Sequence, residues 1–132
     1  MGARRKAREL ALKALFEHDF NQQSLGSVGD RLITENGLET EVSSFLLEII
    51  SHFVENNEKI DKMIEGHSSH WKLSRMASVD RNILRLGVCE LLYFSDVPKN
   101  VTINEYLEIA KKFGNEESSS FVNGILDKII KP

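Results

Sequence analysis

Residues 79–94 read VDRNILRLGVCELLYF, and apolar side chains cover most of the circumference when this stretch is wound into a helix. A helix that is apolar nearly all round is buried by its neighbours. The stretch therefore predicts a central helix around which the rest of the chain packs. We expect Leu84 and Leu91, and Ile125 in the last helix, to be well buried. Gly87 predicts close packing of a neighbouring helix, because a glycine there costs about 1 kcal/mol against alanine.

On both sides of this stretch, apolar residues recur every three or four positions, which is the spacing of amphipathic helices. No segment shows the period-two alternation of a strand, so an all-α fold is expected. The Asn56-Asn57 pair separates two helical patterns, and Gly37 is a fitting helix stop. Residues 66–70 predict a loop before Trp71. The predicted helices cover residues 4–22, 28–36, 42–53, 60–67, 79–94, 102–113 and 116–130.

The clearest helix start follows the turn that contains Pro98. Thr102 and Glu105 have the spacing of a capping box, in which each side chain accepts a hydrogen bond from a free backbone N–H group. Val101 and Tyr106 are placed as the hydrophobic staple that accompanies such a box. We therefore expect this helix to begin at Thr102.

Length and charge limit the classes of protein that this chain can belong to. The 132 residues predict a single domain covering residues 1–132. A net charge of −3 argues against a protein that binds nucleic acid over its whole surface. The chain has no apolar run long enough to span a membrane and no signal peptide. Cys89, the only cysteine, cannot form an internal disulfide, which fits the cytoplasm.

The chain begins with a concentrated positive tip, made of Arg4, Arg5, Lys6 and Arg8, with no acid before Glu9. These cations lie in the first turns of a predicted helix, where the helix dipole is already positive. A bound phosphate would reverse this unfavourable arrangement. We expect the four cations to lack internal partners, so that Arg5 and Arg8 can be replaced without lowering the thermal stability.

One aromatic residue lies on the same side of the predicted first helix as this tip. Arg5 and Phe16 are about three helical turns apart, so they point the same way. Arginines beside an aromatic ring can hold a single-stranded nucleic acid, with phosphates on the guanidinium groups and a base on the ring. The alternatives are a solvated tip and a place for Phe16 in the core.

No enzymatic or metal-binding motif is recognisable. His67 and His70 lack a third ligand at motif spacing, and Cys89 lacks a cysteine partner. Neither a glycine-rich phosphate loop nor a nucleophile elbow is present. We expect a protein that is not an enzyme and that has no metal or other cofactor.

Four stretches in order along the chain resemble the NusB family of bacterial transcription antitermination factors. The last two are highly specific, and helical periodicity alone does not explain the FVNGILD segment at residues 121–127. The stretches are residues 4–11 (RRKARELA) leading to 14–16 (ALF), residues 79–86 (VDRNILRL) with Glu90-Leu91, residues 96–98 (DVP) through 101–105 (VTINE) to 110–111 (AK), and residues 113–114 (FG) followed by 121–128 (FVNGILDK).

This resemblance implies a fold of seven helices in two small packed bundles. It implies binding of boxA, a short single-stranded RNA element of ribosomal RNA operons, together with NusE, a small-subunit ribosomal protein. The pair on boxA would then recruit further Nus factors to RNA polymerase. A homodimer that buries the basic tip is a further possibility that the sequence leaves open.

The resemblance also assigns residues to these roles. By position they are the RNA-binding residues Arg4, Arg5, Lys6, Arg8 and Phe16, and the residues facing the protein partner or the RNA beside it, Asp80, Glu117 and Phe121.

Two alternatives remain at this point. One is the helical RNA-binding domain attached to certain ribosomal RNA cytosine methyltransferases, although 132 residues leave no room for a methyltransferase domain. The other is a helical adaptor that binds protein alone through residues 116–121. RNA binding by the purified chain would separate the adaptor from the antitermination factor.

Overall fold

The computed structural model describes residues 2–69 and 72–131, and these residues form helices without any strand. A short 3-10 turn, Leu73–Arg75, lies before the central helix. The α-helices are α1 (Gly2–Asn21), α2 (Leu25–Asn36), α3 (Thr40–His67), α4 (Ser78–Tyr93), α5 (Lys99–Phe113) and α6 (Ser118–Ile130). The prediction of an all-α fold is confirmed. None of these helices is both long and apolar enough to cross a membrane.

The helices form two groups of three that share α4 as the central element. Helices α1, α2 and α3 pack on one another, and so do α4, α5 and α6. Helix α4 also packs on α1 and α3, which joins the two groups through one continuous apolar core. Adding a Cβ at Gly87 would place it 3.2 Å from Leu126, so the predicted close approach of a neighbouring helix is confirmed.

Burial in the central helix follows the prediction except at its last turn. Leu84 is 0% exposed and Ile125 is also buried, as expected. Leu91 was expected to be well buried, but it is only partly buried, as are Leu92 and Tyr93. The last turn of α4 therefore lies at the edge of the core and not inside it.

The described residues contain six α-helices and not the predicted seven, because α3 continues through Asn56. The backbone of Asn56 is not helical (φ −125°, ψ 19°), so the helix is kinked there. Its side-chain Nδ2 donates to the backbone oxygen of His52 at 2.8 Å. This oxygen is the one that the N–H of residue 56 would pair with in a regular helix. The side chain thus satisfies the acceptor and the chain bends without ending the helix.

The starts of two helices also differ from the prediction. Ser24 caps α2 by accepting from the backbone N–H of Ser27, so α2 begins three residues earlier than expected. Its end at Gly37, in the left-handed conformation, is as predicted. The capping box at Thr102 and Glu105 is wrong, because α5 already begins at Lys99.

The early start of α5 follows from Pro98, whose ring fixes φ near the helical value. The backbone N–H groups of Val101 and Thr102 donate to the Pro98 oxygen at 3.0 and 3.1 Å. Thr102 is therefore buried inside the first turns of the helix, and Glu105 is free to contact another helix.

Candidate nucleic-acid interface

The structure places the four cations of the basic tip in four different environments. Arg8 is 3% exposed and lies in the core, while Arg5 is partly exposed and contacts α5. Arg4 lies over the ring of Phe45, 4.5 Å from its centroid, and 3.6 Å from Asp96. Lys6 is exposed and makes no ion pair within residues 2–69 and 72–131.

Arg8 forms a buried network with two residues of the second helical group. Its Nε lies 2.9 Å from Glu90 Oε2 and its Nη2 lies 2.8 Å from Glu90 Oε1. The hydroxyl of Tyr106 also donates to Glu90. Burial lowers the pKa of Arg8, but the hydrogen bonds and charge of Glu90 outweigh it and the pKa is raised. Burial and the charge of Glu90 raise the pKa of Tyr106 well above its ordinary value. Arg8 therefore stays charged and fixes α1 to α4 and α5.

Arg5 makes a two-pronged ion pair with Glu105 on α5. Its Nε lies 2.6 Å from Oε1 and its Nη2 lies 2.8 Å from Oε2. The hydrogen bond from Arg5 lowers the pKa of Glu105, and the same hydrogen bond raises the pKa of Arg5. The expectation that the cations lack internal partners is therefore wrong for Arg4, Arg5 and Arg8. Their partner carboxylates belong to distant segments, 82 residues away for Glu90 and 100 for Glu105, which local sequence patterns do not show.

The other end of α1 is held by a second set of ion pairs. Asp19 accepts hydrogen bonds from Arg81 and Asn82, both at 2.9 Å, and Arg85 lies 3.6 Å from it. Burial raises the pKa of Asp19, but these hydrogen bonds and positive charges lower it further, so the net shift is downward. Arg85 also pairs with Asp61. The arginines of α4 therefore serve to fix α1 and α3 on the central helix.

An apolar groove of about 410 Å³ runs beside the outer face of α1. Phe16 lines it and is half-buried, so it lies neither in the core nor fully in solvent. Phe113, at the end of α5, lies across the groove and is 45% exposed. Lys6 and Lys13 of α1 are both exposed along the groove. Exposed lysines beside aromatic rings form a surface suited to phosphates and unstacked bases.

Two residues of this groove were missed in the sequence. Lys13 lies seven positions after Lys6, which is two helical turns on the same face, so the spacing could have revealed it. Phe113 was assigned only as the end of a helix. Its position opposite Phe16 depends on how α5 packs in the second helical group, and no local pattern gives this.

Asp80, Glu117 and Phe121 lie together, although they come from two separate segments. All three line one cavity of about 250 Å³ between the start of α4 and the start of α6. Arg75 and Asn115 contribute polar side chains to the same cavity. The Asp80 Oδ1 atom is buried and has no hydrogen-bond partner in the described part of the chain. We name the cavity lined by Asp80, Glu117, Phe121, Arg75 and Asn115 the acidic cavity.

No metal centre is visible among residues 2–69 and 72–131, since no group of three or more potential ligands comes together there. His67 instead places its Nδ1 2.8 Å from the backbone oxygen of Met63. His70 and Trp71, named in the loop prediction, lie outside the described residues.

The fold and these two surfaces, an apolar groove with exposed lysines and aromatic rings and an acidic cavity, define an all-helical binding protein. The model of the NusB family matches residues 5–131. The chain belongs to the NusB family, whose members are transcription antitermination factors and not enzymes.

Curated relatives match over almost their full length. The transcription antitermination protein NusB of Koribacter versatilis is 47% identical over 131 residues, covering 98% of this chain and 90% of the relative. The NusB protein of Geobacter sp. (strain M21) is 49% identical over 138 residues, covering 98% and 94%. Both relatives are named transcription antitermination proteins, which favours antitermination over the methyltransferase alternative.

Solved structures agree with the fold. Thermotoga maritima NusB superposes with a TM-score of 0.92 at 40% identity, covering 97% of this chain and 90% of that one. A NusB chain from the crystal structure of antitermination factors NusB and NusE in complex with double-stranded RNA gives a TM-score of 0.90 at 28% identity. That match covers 99% of this chain and 98% of the other.

Proposed function

We propose that this antitermination factor binds single-stranded boxA RNA of ribosomal RNA operons along the outer face of α1. NusE, a small-subunit ribosomal protein, docks at the acidic cavity. The pair on RNA then assembles with other Nus factors on RNA polymerase in the cytoplasm. The structural relative that holds both NusE and RNA supports this combination of partners.

The RNA site rests on one observation, that exposed Lys6 and Lys13 line the same groove as Phe16 and Phe113. The lysines can contact successive phosphates, while the rings can stack with bases that have left a helix. A single strand leaves its bases free to stack on these rings, whereas the bases of a duplex are already stacked on each other. Arg5 extends the phosphate surface from Lys6 toward the start of α1. Arg4 lies over Phe45 and beside Asp96, so any contact it makes with RNA is separate from the groove.

Arg8 was expected to contact RNA, but we assign it a structural role. It is buried and its guanidinium is engaged by Glu90, so contact with a phosphate would require leaving that carboxylate unpaired in the core. We assign Arg8 to positioning: it holds α1 at the angle that presents Lys6 and Phe16 to the RNA.

The partner site rests on the charge of the acidic cavity. Ribosomal proteins bind RNA and are commonly basic, so a Lys or Arg side chain of NusE can pair with Asp80 and Glu117. The buried Asp80 Oδ1 that lacks a partner within the described residues is an acceptor for such a side chain. Phe121 adds apolar contact at the same place.

We expect replacement of Lys6 and Lys13 by alanine to weaken binding of boxA RNA without lowering the melting temperature. For a single strand, each lost phosphate contact reduces the slope of log affinity against log salt by about 0.7, so the double variant should lose about 1.4. Salt titrations of the binding constant, with thermal melts of the same samples, measure both effects.

The matched control replaces Lys59 and Lys62, two exposed lysines of α3 that line a different groove. This variant has the same net charge as the first and should keep the original salt slope. Equal losses in the two double variants would show that only net charge matters and would contradict a site on α1. Binding of NusE without binding of RNA would support the adaptor alternative.

A further inference from the structure

The Glu105 carboxylate contacts the basic tip in the way that an RNA phosphate would. Its two oxygens lie 2.6 and 2.8 Å from Nε and Nη2 of Arg5, and Oε1 is also 3.6 Å from Nη1 of Arg8. One carboxylate thus contacts two of the four cations. The hydrogen bond from Arg5 lowers the pKa of Glu105, so the group is ionised at neutral pH.

Carboxylates and phosphates bind the same planar fork of a guanidinium group. The Nε and Nη2 edge of Arg5 is one of the two edges that give two parallel hydrogen bonds, and Glu105 already fills it. An RNA phosphate can take this edge only by displacing the carboxylate. A phosphate that contacts the remaining edge still approaches within a few ångströms of a negative charge.

The Arg5–Glu105 pair is exchangeable, in contrast to the Arg8–Glu90 pair. The Arg5 and Glu105 side chains are 26% and 18% exposed, so water and ions reach both. Ion pairs that solvent reaches are easier to separate than buried ones, because solvent screens them and hydrates the separated charges. Glu90 is buried, and removing its partner would leave an unpaired charge in the core.

We propose that Glu105 is an affinity-determining residue of the RNA site, an internal anion that competes with RNA phosphates for Arg5. This inference rests on the proposed function, because it needs RNA to bind at α1. Glu105 lowers the affinity for any single strand by the cost of releasing Arg5. The effect acts on the phosphate backbone and is therefore independent of base sequence.

The test replaces Glu105 by glutamine, which has the same shape and can still accept one hydrogen bond from Arg5. We expect binding of a boxA-containing single strand to tighten by about fivefold at about 0.1 M salt, which corresponds to one further phosphate contact with a slope of about 0.7. The slope of log affinity against log salt should become steeper by about 0.7. A uridine oligomer of equal length should gain by a similar factor.

Two controls separate competition from other effects. Glu108→Gln removes the same charge one turn along α5, where the carboxylate contacts exposed Lys111, and should give a clearly smaller gain. In an Arg5→Ala background, Glu105→Gln should give no gain, because the competed group is absent. Thermal melts check that each variant is folded.

Weaker binding by Glu105→Gln would show that the carboxylate only positions Arg5 and would overturn the inference. So would equal gains from Glu105→Gln and Glu108→Gln, or a gain for the boxA strand alone. Failure of the unmodified chain to bind either strand would instead overturn the proposed function, and the inference with it.

Discussion

Replacing Arg8 by alanine is expected to lower the free energy of unfolding by roughly 3–5 kcal/mol, because it leaves Glu90 charged and unpaired in the core. Arg8 is almost fully buried, and its guanidinium makes three hydrogen bonds to that carboxylate. The hydrogen bond from Tyr106 remains but cannot balance the charge. Urea unfolding at neutral pH, with RNA binding measured on the fraction that is folded, gives the stability loss separately from any effect on binding.

A partly exposed arginine provides the control for this prediction. Arg31 pairs with Glu17 and Glu35 at the surface, so Arg31→Ala should cost at most about 1 kcal/mol. Replacing both Arg8 and Glu90 by apolar residues of similar size should recover part of the loss, because no unpaired charge is then left. A cost below about 1 kcal/mol for Arg8→Ala would mean that Glu90 is not held as a buried ion pair.

The second large effect is expected at Leu84 in the middle of α4. Leu84→Ala removes a side chain that is 0% exposed and leaves a cavity between the two helical groups, at a cost of about 2–5 kcal/mol. Leu47→Ala makes the same change on α3, where the side chain is exposed, and should cost about 0.5 kcal/mol or less. Denaturant midpoints of the two variants measure the difference. A loss below about 0.5 kcal/mol for Leu84→Ala would contradict a central position for α4.

The helical fold could be read from the sequence because it depends on apolar spacing within each segment. The burial of Leu84 and Ile125 and the close approach at Gly87 follow from such local patterns. The bend at Asn56 could not be read, since a side chain that replaces a backbone donor keeps α3 continuous. The start of α5 was misplaced because Thr102 and Glu105 fit a capping box, while Pro98 one turn earlier starts the helix.

The candidate site was predictable to a lesser extent. The resemblance to the NusB family drew attention to Asp80, Glu117 and Phe121, and the structure places them around one cavity. The burial and the ion pairs of the cations in the basic tip could not be predicted from the sequence. Whether Arg8 is solvated or buried depends on α4 and α5, and its partner Glu90 on α4 lies 82 residues further along the chain. Charge patterns along one helix show which cations are present but not which carboxylates meet them.

We propose that RNA and a protein partner bind this chain at neighbouring sites and that binding at one site strengthens binding at the other. Val79 lines the apolar groove beside α1, and Asp80, the next residue of α4, lines the acidic cavity. The two surfaces are therefore close. NusE bound at the cavity would extend the surface available to the RNA. Linkage then requires each ligand to tighten the binding of the other by the same factor.

The most direct test titrates the chain with boxA RNA in the absence and presence of saturating NusE, and with NusE in the absence and presence of saturating boxA RNA. We predict tighter binding in both comparisons, with equal factors, commonly in the range of about 5–150-fold for coupled sites. Affinities that are unchanged by the second ligand would contradict coupling between the RNA site and the NusE site, because the two sites would then be independent.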